Sequence, residues 1–204
     1  YFDPTTVGTY DITYYYTNGN GCTDTAVQPV TVHPLPVVTI TGLDAEYCEG
    51  AETDTLVGGP AGGMFIAGPG LTILGGDSAV FDPAVAGGYD VTYYYTNGNG
   101  CTDTATVSTT VHPLPAVSFS GLEAEYCENG PQDTLTGSQA GGTYLGNGIT
   151  DNADGTAYFD PTTVGTYDIT YYYTDANGCT DTAVQPVTVH PLPVVDFTGL
   201  TGEL

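Results

Sequence analysis

The sequence predicts an all-β chain, a tandem array of small antiparallel β-sandwich domains with one disulfide per repeat. Three observations carry that expectation. The chain repeats itself at a long fixed period, its strand signals are short and separated by turn residues, and no helical periodicity of useful length exists.

The period is read from a recurring phrase. Phe2-Asp3-Pro4 runs on to Tyr14-Tyr15-Tyr16, Gly21-Cys22-Thr23-Asp24-Thr25 and Val32-His33-Pro34-Leu35-Pro36. The phrase restarts at Phe81-Asp82-Pro83 and again at Phe159-Asp160-Pro161, at offsets of 79 (81 − 2) and 78 (159 − 81). A period this long describes a domain array rather than one 204-residue fold. The divisions expected are a C-terminal part-repeat 1–33, complete repeats 34–112 and 113–190, and a first strand of a further repeat, 191–204. Tyr1 aligns with Tyr158 and Phe197 with Phe119, so the chain reads as a window on a longer protein.

Within 113–190 the strand signals come in order. Ala116–Ser120 alternates and is β-branched and aromatic. Asp133–Thr136 and Thr143–Leu145 are short, Ala157–Phe159 leads into a proline, Tyr167–Thr174 is the strongest, and Thr182–Val189 is last. Asn129-Gly130-Pro131, Gly141-Gly142, Asn147-Gly148, Asp154-Gly155 and Asn177-Gly178 punctuate them. Seven or so short strands within a single repeat point to an Ig-like sandwich. Tyr167, two positions before Ile169, has the spacing of a tyrosine corner. Period two puts Tyr167, Ile169, Tyr171 and Tyr173 on the core face and Tyr172 on the polar face. Pro186 lacks an N–H and suits a strand edge. His112-Pro113-Leu114-Pro115 is a short extended joint that should restrict the angle between domains.

Charge narrows the partners. The chain has no Lys or Arg and 24 acidic residues, for a formal charge of −24. Phosphate binding needs cations on the protein, so nucleic acid is not a partner, and an anionic membrane surface is excluded on the same ground. No apolar run is long enough to span a bilayer, so nothing in the window inserts in a membrane as a helix. The acidity reads first as solubility and mutual repulsion of neighbouring domains.

The five cysteines obey the repeat. Cys48 and Cys127 follow Glu-Tyr pairs, while Cys22, Cys101 and Cys179 sit in hairpin-turn phrases. The economical pairing is Cys48–Cys101 and Cys127–Cys179, leaving Cys22 with a partner outside the window. Spacings of 53 (101 − 48) and 52 (179 − 127), with no CxxC, make a poor zinc set. Disulfides imply an oxidising, extracytoplasmic setting.

No catalytic arrangement stands out, and no enzyme is expected. The chain lacks GxSxG, HExxH and a P-loop, and has no Arg or Lys to serve as an electrophile. His33, His112 and His190 all stand at the Pro-Leu-Pro joints and read as polar strand ends. No cofactor is expected. Calcium is the best metal candidate, at Asp151 and Asp154, although a plain Asp-Gly hairpin explains that loop more cheaply. Tyr15, Tyr94 and Tyr172 are candidates for a surface contact with a glycan or a neighbouring domain, against a simpler reading as cross-strand packing.

The run Val164-Gly165-Thr166-Tyr167-Asp168-Ile169-Thr170-Tyr171-Tyr172-Tyr173-Thr174-Asp175-Ala176-Asn177-Gly178-Cys179-Thr180, with Val187-Thr188-Val189-His190-Pro191-Leu192-Pro193, resembles a phrase of Bacteroidota surface proteins. Repeat by repeat, the chain resembles the Ig-like/PKD-like tandem repeats of large secreted adhesins of that phylum, including gliding-motility-associated ones. The resemblance implies an Ig-like sandwich, type IX secretion, and a cell-surface role in fibres, adhesion or gliding. It also implies O-glycosylation at Asp-Ser/Thr followed by an apolar residue. The matching hydroxyls are Thr25, Thr55, Ser78, Thr104, Thr134 and Thr182.

The function expected is therefore a structural region of an extracellular fibre or adhesin stalk, whose partners are neighbouring repeats of the same chain. Two alternatives stand beside it. One is a subunit of a self-assembling multi-chain filament, with other copies as partners. The other is a spacer or weak carbohydrate-binding domain of a secreted enzyme, with glycans as partners.

Overall fold

A computed structural model describes residues 1–199. The chain forms two compact units, Tyr1–Val111 and His112–Leu204, and every element described in them is a β-strand or a turn.

The first unit opens with a hairpin, β1 (Gly8–Thr17) and β2 (Thr23–Val32), which is a two-stranded sheet by itself. It continues with β3 (Thr39–Thr41), β4 (Glu46–Cys48), β5 (Asp54–Gly59), β6 (Met64–Phe65), β7 (Leu71–Gly75), β8 (Ser78–Phe81), β9 (Gly87–Thr96) and β10 (Thr102–His112). These eight make two four-stranded sheets, in the orders β3-β5-β8-β7 and β4-β10-β9-β6.

The second unit has the matching eight: β11 (Phe119–Ser120), β12 (Glu125–Cys127), β13 (Asp133–Gly137), β14 (Thr143–Leu145), β15 (Ile149–Asp151), β16 (Thr156–Phe159), β17 (Gly165–Thr174) and β18 (Thr180–His190). The sheet orders are β11-β13-β16-β15 and β12-β18-β17-β14. The first strand is split between the sheets. β11 pairs antiparallel with β13, then β12 crosses over and pairs parallel with β18. This is the topology of an Ig-like sandwich, and the fold class expected from the sequence is the one observed.

Two of the eight strands per repeat are not legible in the sequence. β12 covers only Glu125–Cys127, too short to alternate visibly. β15 reads as loop because it is short and followed by Asp154-Gly155. The first strand is also shorter than expected, Phe119–Ser120 instead of Ala116–Ser120. Residues 191–199 form no strand, since a strand needs a neighbour to receive its backbone hydrogen bonds; the rest of the expected strand 191–204 lies outside the described residues.

The cores follow the period-two faces. Ile169 and Tyr171 on β17 are fully buried, Tyr167 and Tyr173 half-buried. Val91 and Tyr93 take the equivalent places on β9. Phe81 and Phe159, from the Phe-Asp-Pro phrase, are core residues, and each packs on a tyrosine of the crossing strand: Tyr47 at 5.3 Å and Tyr126 at 4.9 Å between ring centroids. Burying side chains of this size contributes roughly 1.5–3 kcal/mol each.

Core tyrosines need partners for their hydroxyls. Tyr93 Oη donates to the Pro60 carbonyl at 2.7 Å and accepts from the Gly63 amide at 2.9 Å. Tyr171 Oη donates to the Gln139 carbonyl. Each ring lies against two glycines, Gly58 and Gly63 or Gly137 and Gly142, where a Cβ would overlap it. The Gly-rich turns are therefore packing requirements as much as turn signals.

The tyrosine corner is present three times. Tyr167 Oη donates to Val164 O at 2.9 Å, Tyr89 Oη to Val85 O at 2.6 Å and Tyr10 Oη to Thr6 O at 2.8 Å. Pro186 opposes Asp168 on β17. β12 reaches only Thr188–His190, so β18 has a free edge at Pro186, as its missing N–H requires.

Candidate functional site

The hairpin tips carry the most distinctive local chemistry. In the β17–β18 tip the Asp175 amide donates to the Cys179 carbonyl at 2.9 Å, and the Cys179 amide donates to Asp175 Oδ1 at 2.9 Å. Asn97 holds Cys101 in the same way at 2.9 and 3.1 Å, and Asn18 holds Cys22 at 3.0 and 3.1 Å. An Asx side chain thus fixes each hairpin cysteine. The amide of Cys179 is the main cause holding the Asp175 carboxyl below the usual carboxylate range, and His112 adds a smaller favourable charge interaction.

The β9–β10 tip faces the joint that begins its own repeat. Asn97 Nδ2 donates to the Pro34 carbonyl at 3.4 Å. The Glu-Tyr-Cys cysteines lie at the other end. Cys127 pairs with His190, the last residue of β18, and the Glu128 amide donates to the His190 carbonyl at 2.8 Å. In the first unit the Thr110 amide donates to the Ala45 carbonyl at 3.1 Å, which sets β4 beside the end of β10.

The pairing expected from economy is corrected by this geometry. Cys48 and Cys179 are each in a disulfide, while Cys22, Cys101 and Cys127 are free thiols. Neither Cys48–Cys101 nor Cys127–Cys179 is formed. Cys179 immediately precedes β18 and Cys127 sits beside its far end. The strand between them is 11 residues long. At ~3.3 Å per residue it spans roughly 36 Å. A disulfide bridges Cα atoms up to about 7 Å apart.

The strand pattern does not announce a tyrosine–carboxylate clamp that both repeats contain. Tyr126 Oη donates to Asp133 Oδ2 at 2.6 Å and accepts from the Glu123 amide at 2.8 Å. Tyr47 Oη donates to Asp54 Oδ2 at 2.6 Å and accepts from the Asp44 amide at 2.8 Å. Burial, then the bond to the carboxylate, pushes both phenols up to about 12. The signal that could have found it is a Tyr followed seven positions later by Asp in both complete repeats.

The calcium candidates serve the backbone. Asp154 Oδ1 accepts from the Thr156 amide at 2.9 Å and from Thr156 Oγ1 at 2.6 Å, closing the β15–β16 hairpin. Asp151 lies on β15 and accepts from the Tyr144 amide at 3.3 Å. Among the described residues no group of three or more His, Cys, Asp or Glu gathers at one point. His190 Nε2 is 3.9 Å from Glu125 Oε2, an exposed contact that forms an ion pair only when His190 is protonated.

Tyr94 and Tyr172 are half-buried on the outer face, and Tyr15 is exposed. Tyr94 stands opposite Thr104 and Met64, with Tyr94 Oη 3.4 Å from Met64 Sδ, as cross-strand packing expects. Thr25, Thr55, Thr104, Thr134 and Thr182 are exposed, and Ser78 is half-buried. In three of these the preceding carboxylate bonds the threonine's own amide: Asp24 to Thr25, Asp103 to Thr104 and Asp181 to Thr182.

No protein-family model matches the chain. No curated protein matches it. Among solved structures, the fibronectin(III)-like modules of Clostridium thermocellum CbhA are similar at 16% identity, over 80% of this chain and 100% of that one, with a TM-score of 0.36. Extracellular domains 3–5 of Drosophila OTK are similar at 10% identity, over 92% and 72%, with a TM-score of 0.40. A Ca2+-stabilized adhesin, described as helping an Antarctic bacterium reach out and bind ice, is similar at 15% identity, over 91% and 58%, with a TM-score of 0.38. Likeness this low says nothing of ligand, partner or activity here. No helix among the described residues is long and apolar enough to cross a membrane.

Proposed function

We propose that this chain is a non-catalytic structural region of a long extracellular surface fibre or adhesin stalk. One observation carries the reading: the two complete repeats build the same devices at the same places. The Tyr–Asp clamp, the tyrosine corner and the Asx-held hairpin cysteine all occur in both. Each stabilises a repeat or shapes its end, as expected of copies that supply length and stiffness.

The resemblance in the sequence supports the finer reading: repeats of a Bacteroidota adhesin, exported by the type IX route, with glycan on some of the exposed Asp-Thr threonines. The disulfide state of Cys48 and Cys179 supports an oxidising, extracellular setting. Electron microscopy of the native protein tests the function. Isolated single-chain threads on the cell surface are expected, and a compact soluble particle with hydrolytic activity would overturn it.

A multi-chain filament is the second reading. Ordered fibres several chains thick in the same images would select it.

A further inference from the structure

We propose that Asn18 and Asn97 are modification sites, at which the protein deamidates itself through a succinimide formed with the following glycine. The chain contains seven Asn-Gly pairs. A glycine has no Cβ to keep its nitrogen away from the preceding side chain. The fold sorts the seven by what that nitrogen is doing. In four pairs the glycine amide already donates a hydrogen bond: Gly21 to the Asn18 carbonyl at 3.0 Å, Gly100 to the Asn97 carbonyl at 3.0 Å, Gly130 to the Cys127 carbonyl at 2.9 Å and Gly178 to the Asp175 carbonyl at 3.1 Å. The amides of Gly19, Gly98 and Gly148 donate to no group among the described residues. Two of these three pairs carry a second device. Asn97 Oδ1 accepts from the amides of Asn99 and Cys101 at 3.0 and 3.1 Å, and Asn18 Oδ1 from those of Asn20 and Cys22 at 3.0 and 3.1 Å. Attack on Cγ puts negative charge on that oxygen, so each Asx turn holds a two-amide oxyanion hole for the reaction. Asn147, which precedes Gly148, has no such donors among the described residues.

The chemistry balances with water alone. The Gly98 nitrogen bonds to Asn97 Cγ, the Cγ–Nδ2 bond breaks, and Nδ2 leaves as ammonia with the proton that the nitrogen gave up. Water then opens the imide. Addition at Cγ breaks its new bond to the Gly98 nitrogen and leaves an aspartate; addition at the backbone carbonyl carbon leaves an isoaspartate. The third copy shows that the turn accepts the first product. Residues 2–38 and 159–195 differ only at Asn18-Gly19 against Asp175-Ala176. The Asp175 carboxylate holds its turn as Asn97 does, accepting from the amides of Asn177 and Cys179 at 2.9 Å each. That tip has the product's carboxylate and lacks the reactive glycine. At position 97 the change has a further effect. The lost Nδ2 is the donor to the Pro34 carbonyl at 3.4 Å, so the tip loses its bond to the joint.

Timed incubation of the folded chain at mildly alkaline pH in water labelled with heavy oxygen tests this. Mass spectrometry with peptide fragmentation reads each site, where deamidation exchanges an NH for a labelled oxygen. One donor of an enzyme oxyanion hole is worth roughly 10²–10³ in rate, and an exposed turn should keep at least ~10-fold of that. Asn18 and Asn97 are therefore expected to convert at least ~10-fold faster than Asn20, Asn99, Asn129 and Asn177, with Asn147 between the two groups. In concentrated urea, where the turns are lost, the seven rates should converge. Equal rates in the folded chain, or a ranking led by any other of the seven, would overturn the proposal. The same ranking in urea would overturn it too, since local sequence and not the fold would then set the order. Gly98→Ala gives a second readout. A Cβ at Gly98 meets nothing within 4 Å, and Ala176 stands at the equivalent place in the third copy. The variant should slow conversion at position 97 by ~10-fold or more and leave position 18 unchanged. An unchanged rate at position 97 refutes attack by the glycine nitrogen.

Discussion

Thr109→Val should stabilise the first complete repeat. Thr109 is 3% exposed on the core face of β10, and its Oγ1 has no hydrogen-bond partner among the described residues. The second repeat has Val187 at the equivalent place, 1% exposed, facing Tyr167 as Thr109 faces Tyr89. An unpaired buried hydroxyl costs about 1–3 kcal/mol. Valine has the same branched shape, so replacement removes that cost and creates no cavity. A gain of about 1–2 kcal/mol is expected. For a domain of this size each kcal/mol moves the melting temperature by roughly 4–8 °C. The reciprocal change, Val187→Thr, should lower stability by a similar amount. Calorimetry of the two variants beside the parent measures both. The reasoning fails if Thr109→Val lowers the melting temperature, or if Val187→Thr leaves it unchanged.

Tyr144→Phe should be neutral or stabilising by up to about 1 kcal/mol, because its buried hydroxyl is also unpartnered and Phe65 holds the same place in the first repeat. Tyr171→Phe should instead cost about 1–2 kcal/mol, since it orphans the Gln139 carbonyl; urea denaturation distinguishes the two. Alkaline titration followed at the phenolate absorbance should show Tyr47 and Tyr126 among the late-titrating tyrosines, with Tyr93, Tyr144 and Tyr171, whose phenols burial also pushes up. The folded pKa values of Tyr47 and Tyr126 are raised from about 10 to about 12, so the folded state holds more protons there. Their contribution is fully present below pH ~10 and is lost as pH rises towards ~12. Tyr47→Phe with Tyr126→Phe should remove that part of the alkaline transition. Gly137→Ala should destabilise the second repeat by about 3 kcal/mol or more, because the new methyl overlaps the Tyr171 ring; thermal melting checks it.

Much of the fold is legible in the sequence because it depends on local rules. The strand Gly165–Thr174 shows its faces by period two, and the Tyr167–Ile169 spacing announces the corner that the Val164 carbonyl completes. The Thr143–Leu145 strand lies where its flanking glycines place it. The Tyr–Asp clamps are written in a repeated spacing, but nothing local shows that a strand will cross between sheets and turn Tyr126 onto Asp133.

By itself, the sequence determined the repeat, the all-β class, the core faces of the long strands and a formal charge of −24. Period, side-chain alternation and net charge are properties of the chain as written. Only the tertiary structure decided which cysteines can meet. Separation along the chain suggested that Cys127 and Cys179 close a loop. The parallel pairing of Glu125–Cys127 with Thr188–His190 sets them a full strand apart. Which end of a strand a side chain occupies is a matter of register and topology, and neither is a local property of the residues.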